Sequence, residues 1–341
     1  MHSAGSYWSE VHYQGQTPFA LKQSLYLIVG VAGAFFIQNK SFLRLPTFWH
    51  VLYIISVVLL IGVLIPGIGV VRNGSQSWIS LGFTNFQPAE LSKIAVLGVL
   101  ALALAKEQKN KGKLYMRSAL LLLLPIGLIM VQPDFGSAFV LVVAVFMLLF
   151  AAGLPLKFFF AIGLSGVIGL AALIISAPYR LVRIQAFLDP WKDPLGSGFQ
   201  AIQSLLAIGP AGLFGFGYGN SRQKFLYLPE PQNDFIFSIL LEETGFIGGI
   251  VVISAFVVFF TTSYMMASRA KTREAQLMIV ALTSLLVVQT FLNMGVVTGL
   301  LPVTGVTLPF ISYGGSSLIM TWRIIGIILN LANTSSTEGR R

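Results

Sequence analysis

Nine stretches of this chain are almost wholly apolar and read as membrane spans, and that fact limits the fold more than any motif does. They run over residues 21–37, 49–66, 89–105, 117–132, 138–153, 157–177, 236–266, 275–297 and 317–332. A crossing helix needs roughly 20 residues, so the shorter runs must draw their ends from flanking loops. Of 341 residues, 55% are hydrophobic and 10% charged. A water-soluble domain carries about 25% charged residues, so this chain lacks the polar surface to cover a soluble particle. The expected fold is one all-α integral membrane domain over 1–341, a polytopic bundle of nine spans.

Charge fixes the expected topology. Net charge is +10, from 22 Lys and Arg against 12 Asp and Glu. The basic residues gather in short loops: Lys40 and Arg44, then Lys106, Lys109, Lys111, Lys113 and Arg117, then Lys157, then Arg269, Lys271 and Arg273, then Arg340 and Arg341. The alternate loops 67–88, 133–137 and 298–316 hold only Arg72. Short loops rich in Lys and Arg stay in the cytoplasm, which makes the charge a topology signal and argues against nucleic acid as a partner. The C-terminus is then cytoplasmic and residues 1–20 and 178–235 lie outside. There is no cysteine, which excludes disulfides, thiolate nucleophiles and iron–sulfur ligation. His2, His12 and His50 are scattered and make no zinc ligand set.

The long segment 178–235 must be functional or disordered, and its Trp191, Tyr179, Tyr218, Tyr227 and many Phe and Leu argue for order. Ile202, Leu205 and Leu206 fall at helical spacing opposite Gln200, Gln203 and Ser204. That pattern predicts a short amphipathic helix on the membrane surface. Gly215 to Asn220 is a turn-rich stretch that lets backbone approach a ligand closely. Segment 298–316, broken by Gly299, Pro302, Gly305, Pro309, Gly314 and Gly315, is either a surface loop or one that dips into the bundle.

Few side chains can carry chemistry. Asp234 follows the proline-stiffened Leu228-Pro229-Glu230-Pro231-Gln232-Asn233 and opens an apolar helix. It is either a helix cap or a general base at the membrane boundary. Glu242 and Glu243 lie further along that helix, where ionisable groups are costly and tend to be functional or paired. Glu90 and Lys93, three apart on one helix face, form either an ion pair or the polar wall of a substrate groove. Asp134 sits in the turn Gln132-Pro133-Asp134, an ordinary place for Asp. Arg180, Arg183, Arg222 and Lys224 are outward cations that suit anionic lipid head groups or a pyrophosphate. No Walker loop, dinucleotide fingerprint or Ser-His-Asp set is present.

Taken in order along the chain, these stretches resemble the SEDS family of shape, elongation, division and sporulation proteins. The likeness rests on Arg72-Asn73-Gly74-Ser75-Gln76-Ser77-Trp78, Gln87 to Lys93, Gln132-Pro133-Asp134, Pro178-Tyr179-Arg180 through Gln200, Gly219-Asn220-Ser221-Arg222 through Phe235, and Pro309 to Ser317. The stretch from Ser221 to Asp234 is more similar to the FtsW and SpoVE branch than to RodA. The family has ten spans, and this chain starts in what resembles the loop after the first.

The resemblance implies a peptidoglycan glycosyltransferase in division or sporulation, which joins lipid II to a nascent glycan strand at the outer face of the cytoplasmic membrane. It maps the family's essential aspartate onto Asp234, its paired Glu and Lys onto Glu90 and Lys93, and a further outer aspartate onto Asp134. It implies a class B penicillin-binding protein as partner, with the divisome or spore-wall machinery around it. The leaving pyrophosphate needs cations or a metal such as magnesium or manganese; Arg180, Arg183 and Lys224 are the candidate cations. Two rival readings remain at this point: a lipid flippase or transporter, and a scaffold for the transpeptidase without chemistry of its own.

Overall fold

The computed structural model describes residues 3–5, 7, 18–72, 74–82, 84–106, 111–175, 178–225, 228–229 and 231–337. All nine apolar runs are long helices: α1 (Pro18–Ile37), α2 (Pro46–Val63), α3 (Pro88–Ala105), α4 (Lys111–Val131), α5 (Phe135–Ala151), α6 (Leu156–Ile175), α9 (Ile236–Ser268), α10 (Arg273–Val297) and α11 (Gly315–Thr337). Two shorter helices, α7 (Pro178–Leu188) and α8 (Phe199–Ile208), lie in the long segment. Among the described residues six helices are long and apolar enough to cross a membrane by length and composition alone. The chain is a polytopic all-α membrane protein.

The helices start where the sequence allows. Pro46 and Pro88 open α2 and α3, where the missing N–H costs nothing and the fixed φ favours a helical turn. Pro125 lies inside α4; in a bundle, neighbouring helices can satisfy the backbone groups it frees. The helices differ sharply in surroundings. α3 and α10 are largely enclosed by protein, whereas α1, α2 and most of α9 expose their apolar side chains. In a bilayer those open faces meet lipid.

The chain falls into two compact units. One takes Met1–Ser24, Pro155–Val258 and Gln289–Gly314; the other takes Leu25–Leu154, Phe259–Val288 and Gly315–Arg341. In the second, α3 is central. The wholly buried Trp49 of α2 lies against Gly98 of α3, where a Cβ would fall 2.0 Å from the ring. The Trp49 Nε1–H donates to the Leu43 carbonyl at 2.8 Å.

The loop 67–88 contains a small antiparallel sheet that the sequence reading missed. It orders β1 (Gly69–Arg72), β2 (Ser75–Ser80) and β3 (Asn85–Phe86), with Gly69 opposite Ile79 and Arg72 opposite Ser75. The Asn73-Gly74 dipeptide between alternating residues was the available signal. Gln132 anchors this sheet: its carbonyl accepts from the Ser75 and Ser77 hydroxyls, and its amide donates to Leu60 O at 2.9 Å.

In the first unit the predicted short helix forms as α8 (Phe199–Ile208), but one residue of its polar face is enclosed. Ser204 is fully buried and donates to Val297 O at 2.7 Å, while Leu205 and Leu206 are open. Val297 ends α10, and a terminal carbonyl lacks an intrahelical partner. Satisfying it outweighs burying two leucines that lipid solvates equally well.

Candidate active site

Asp234 stands at the entry to α9, half-buried, while the neighbouring Phe235 is enclosed. What holds it is the main chain of the residues leading up to it. Tyr313 N–H donates to Gln232 O at 2.8 Å, the Ser312 hydroxyl to Asn233 O at 2.7 Å, and the Asn293 amide to Asp234 O at 2.7 Å. Three successive carbonyls are thus fixed by donors from α10 and from the segment after it. Ser312 Oγ also accepts from Leu308 N–H at 2.8 Å, and Asn293 donates a second bond to Val306 O at 2.8 Å. Gln23 of α1 closes the far side, donating to Ser312 O at 3.0 Å.

Segment 298–316 is therefore a buttress for Asp234, not a plain surface loop. Gly305 lies beside the carboxylate, where a Cβ would meet Oδ2 at 3.5 Å, and its φ of +73° favours glycine. Phe310 also takes a left-handed φ of 66°, which costs about 1–3 kcal/mol for a non-glycine residue and tends to mark functional loops. Gln232 Oε1, Asn293 Oδ1 and Thr304 Oγ1 are buried without a hydrogen-bond partner among the described residues. Buried acceptors seldom stay unpaired, so these three mark an unmet hydrogen-bonding demand in the segments that hold Asp234.

Glu242 and Glu243 anchor the loop that leads to Asp234. The Glu242 carboxylate accepts from the Ser221 hydroxyl and from the N–H groups of Arg222 at 2.9 Å and Gln223 at 3.3 Å. Glu243 accepts from the Ser3 hydroxyl and lies 4.0 Å from Lys224 Nζ. The sequence reading makes Lys224 an outward cation. It is instead buried, donates to Gly219 O and Ser3 Oγ, and has its charge met by Glu243. Burial of an ammonium demands such a partner. Arg222 is exposed and lies over the Phe216 ring at 4.6 Å. Arg180 and Arg183 fall on α7, but their side chains lie outside the described residues, as do Tyr227 and Glu230.

The Gly215 to Asn220 stretch serves the fold, where the sequence reading set it against a ligand. Gly245 interrupts α9 with φ 66° and ψ −166°. The backbone groups so released pair with the glycine stretch: Phe216 N to Glu242 O and Gly217 N to Glu243 O at 2.9 Å, Phe246 N to Gly212 O at 3.0 Å, and Ile247 N to Leu213 O at 3.1 Å. A Cβ on Gly215 would lie 2.4 Å from the Glu243 backbone. The glycines allow chain to meet chain.

The second unit holds the other expected residues, each described there by itself. Lys93 Nζ meets Glu90 Oε1 at 2.8 Å, with both residues buried in α3. Asp134 caps α5 by accepting from Ser137 N–H at 3.0 Å, and its other oxygen accepts from the Gln87 amide at 2.7 Å. Asp134 thereby ties the entry of α5 to the entry of α3.

Comparison with known proteins decides the family. A model of the FtsW, RodA and SpoVE type, described as a cell cycle protein, matches residues 1–337. The chain is 44% identical to stage V sporulation protein E of Bacillus subtilis (strain 168), over 98% of this chain and 92% of that one. The chain belongs to the FtsW, RodA and SpoVE family. Among other FtsW, RodA and SpoVE proteins, a probable peptidoglycan glycosyltransferase FtsW from Saccharophagus degradans is 39% identical over 94% of this chain and 86% of that one. A solved chain from a study of structural coordination of polymerization and crosslinking by a peptidoglycan synthase complex superposes with TM-score 0.79 at 34% identity, covering 98% of this chain and 95% of that one. The rod shape determining protein RodA of Thermus thermophilus superposes with TM-score 0.71 at 30% identity, covering 98% and 94%.

For an FtsW, RodA and SpoVE protein the notable finding is the set of Asp234 supports that sequence reasoning passed over: Asn293, Ser312 and Gln23. An amide near the end of an apolar helix is the one signal that marked Asn293, since such a group needs partners inside a membrane. Among the described residues no three of His, Asp and Glu form a metal-ligand set. No step below runs through a metal.

Proposed function

We propose that this chain is a peptidoglycan glycosyltransferase that polymerises lipid II into glycan strands, with Asp234 as general base. The observation that carries the reading is the fixed Asp234: three consecutive carbonyls held by Tyr313, Ser312 and Asn293, with the side chain left half-buried. A helix cap alone would not call for this buttress. A base must be held in register with the proton that it takes.

The acceptor is a sugar hydroxyl of lipid II. Its oxygen attacks the anomeric carbon of the donor strand, opposite the leaving undecaprenyl pyrophosphate. The C–O bond to pyrophosphate breaks, the β-1,4 bond forms with inversion, and the hydroxyl proton passes to the Asp234 carboxylate. Proton removal by a placed base contributes about 10²–10⁴ in rate. Holding donor and acceptor in line can supply about 7–11 kcal/mol more. Arg180 and Arg183 take the leaving pyrophosphate through paired guanidinium donors. Lys224, already neutralised by Glu243, is assigned to the fold instead.

The basic loops support a cytoplasmic C-terminus and, with it, an Asp234 at the outer face of the cytoplasmic membrane. A crosslinking enzyme, a class B penicillin-binding protein, is the partner that uses the strand. The buried Glu90–Lys93 pair is the one observation that favours a transporter, since intramembrane charges mark transport paths. Polymerisation of lipid II by the purified protein in detergent separates the readings, because a micelle requires no flipping. Glycan strands of many units are expected, and none would form from a pure transporter or a scaffold.

A further inference from the structure

We infer that Arg323 and Lys40 form a binding site for the phosphate of an anionic phospholipid, set at the Lys40 end of α1 and α11. The two helices meet through small residues. A Cβ on Gly326 would fall 2.8 Å from Ala34 Cα, and one on Gly30 would fall 2.9 Å from the Trp322 ring. At Gly33 the side chain of Arg323 fills the glycine notch: a Cβ there would fall 1.3 Å from Nη1 and 1.9 Å from Cζ. The guanidinium thus occupies space that any other residue at position 33 would take. Nothing in α11 required Arg at that depth; it is the ninth residue of a 23-residue apolar helix.

Among the described residues no carboxylate and no hydrogen-bond acceptor meets this guanidinium. A cation inside a membrane helix normally pairs or reaches for the interface. Asn330, seven residues further on, fixes how the two helices align. Its amide donates to Ile37 O, Gln38 O and Lys40 O at 3.1, 2.8 and 3.0 Å, so the end of α1 and the last turns of α11 lie level. The guanidinium, seated at Gly33, therefore lies one turn from the residues that Asn330 holds.

A second cation comes to the same stripe of α1. Lys40 Nζ folds back over the Phe36 ring, 4.0 Å from its centroid. Gly33 and Phe36 are three apart and so neighbours on one helix face, about 5–6 Å between their side-chain origins. The guanidinium in the Gly33 notch and the ammonium over Phe36 thus lie against adjacent positions of one helix, and a phosphate offers several oxygens that take charged donors at about 2.7–2.9 Å. Phe35 and Phe36 are 64% and 61% exposed, so the stripe is open to lipid and acyl chains can lie along it. The shared chemistry is a phosphate anion; the open apolar surround selects a lipid source over free phosphate.

Native mass spectrometry of the purified protein in detergent, with phosphatidylglycerol or phosphatidylcholine added in equal amounts, tests this. The wild-type protein is expected to retain phosphatidylglycerol preferentially, and Arg323→Gln to reduce that preference roughly tenfold, as loss of a charged hydrogen bond implies. Gly33→Ala, which displaces the guanidinium without removing a charge, is expected to act in the same direction. Arg273→Gln, a cation elsewhere on the protein, is expected to leave it unchanged. Inorganic phosphate is expected not to compete. Equal retention of both lipids, an unchanged preference in both Arg323→Gln and Gly33→Ala, or displacement by inorganic phosphate alone would overturn the proposal. Each variant is read only in protein that remains monodisperse, and the Gly33→Ala arm stands if Arg323→Gln does not insert.

Discussion

At the scale of single residues the acids divide into the proposed base and those that build. Asp234 keeps its side chain half-open while donors from elsewhere hold its backbone. Glu242, Glu243 and Asp134 spend their carboxylates on N–H, hydroxyl and amide donors. Asn293→Ala is expected to lose two charge-free hydrogen bonds at about 0.5–1.5 kcal/mol each, and to slow polymerisation more than it lowers thermal stability. A thermal scan and a polymerisation assay on the same sample check that ordering. Asp193 gives a pH signature outside the membrane. Hydrogen bonds from the Ser197 backbone N–H and hydroxyl hold its carboxyl below the usual carboxylate range. A lowered folded pKa adds stability above the unfolded value, and that stability is lost as pH falls through the folded one. The turn 193–197 should hold from neutral pH down to about pH 4 and loosen below it. Faster exchange of the Ser197 amide in acid than the intrinsic rate predicts would report this.

At the scale of elements, the legibility of the sequence divides by distance along the chain. The nine long helices were readable because an apolar run needs no partner to declare itself. The loop sheet was not, because strands of four, six and two residues carry little pattern. The burial of Ser204 on α8 was not readable, because amphipathic reasoning assumes water on the polar side, and here Ser204 serves the end of α10. The buttress of Asp234 was out of reach, since Gln23, Asn293 and Ser312 lie far from it in sequence. The break in α9 follows the same lesson: Gly245 looks like an ordinary membrane-helix glycine until the Gly215 stretch is seen to take up its backbone bonds. Gly245→Ala combines a left-handed φ with a Cβ 2.4 Å from Gly215 N, and is expected to destabilise by more than about 1 kcal/mol. Glu242→Ala should free the 221–223 turn and cost polymerisation, with partial recovery in Glu242→Gln, which keeps acceptors. Limited proteolysis within 221–235 would show the freed loop directly.

The whole molecule consists of two compact units with the expected residues shared between them. Asp234, its supports and the Glu242 anchor belong to one; Glu90, Lys93 and Asp134 to the other. The buried Glu90–Lys93 pair is costly to break from one side, about 3–5 kcal/mol. Glu90→Gln is therefore expected to lower thermal stability strongly. The exchange Glu90→Lys with Lys93→Glu should recover most of it, less the favourable placing of an acid in the first turn of α3. Recovered stability with absent polymerisation would assign the pair to substrate contact, and full activity in the exchange would restrict it to the fold.

The central claim is tested most directly by single-turnover polymerisation of lipid II with purified wild-type protein and Asp234→Asn, both confirmed as inserted and monodisperse. Loss of the base should slow bond formation by about 10²-fold or more while lipid II still binds. An Asp234→Asn protein that extends strands at the wild-type rate would contradict the account.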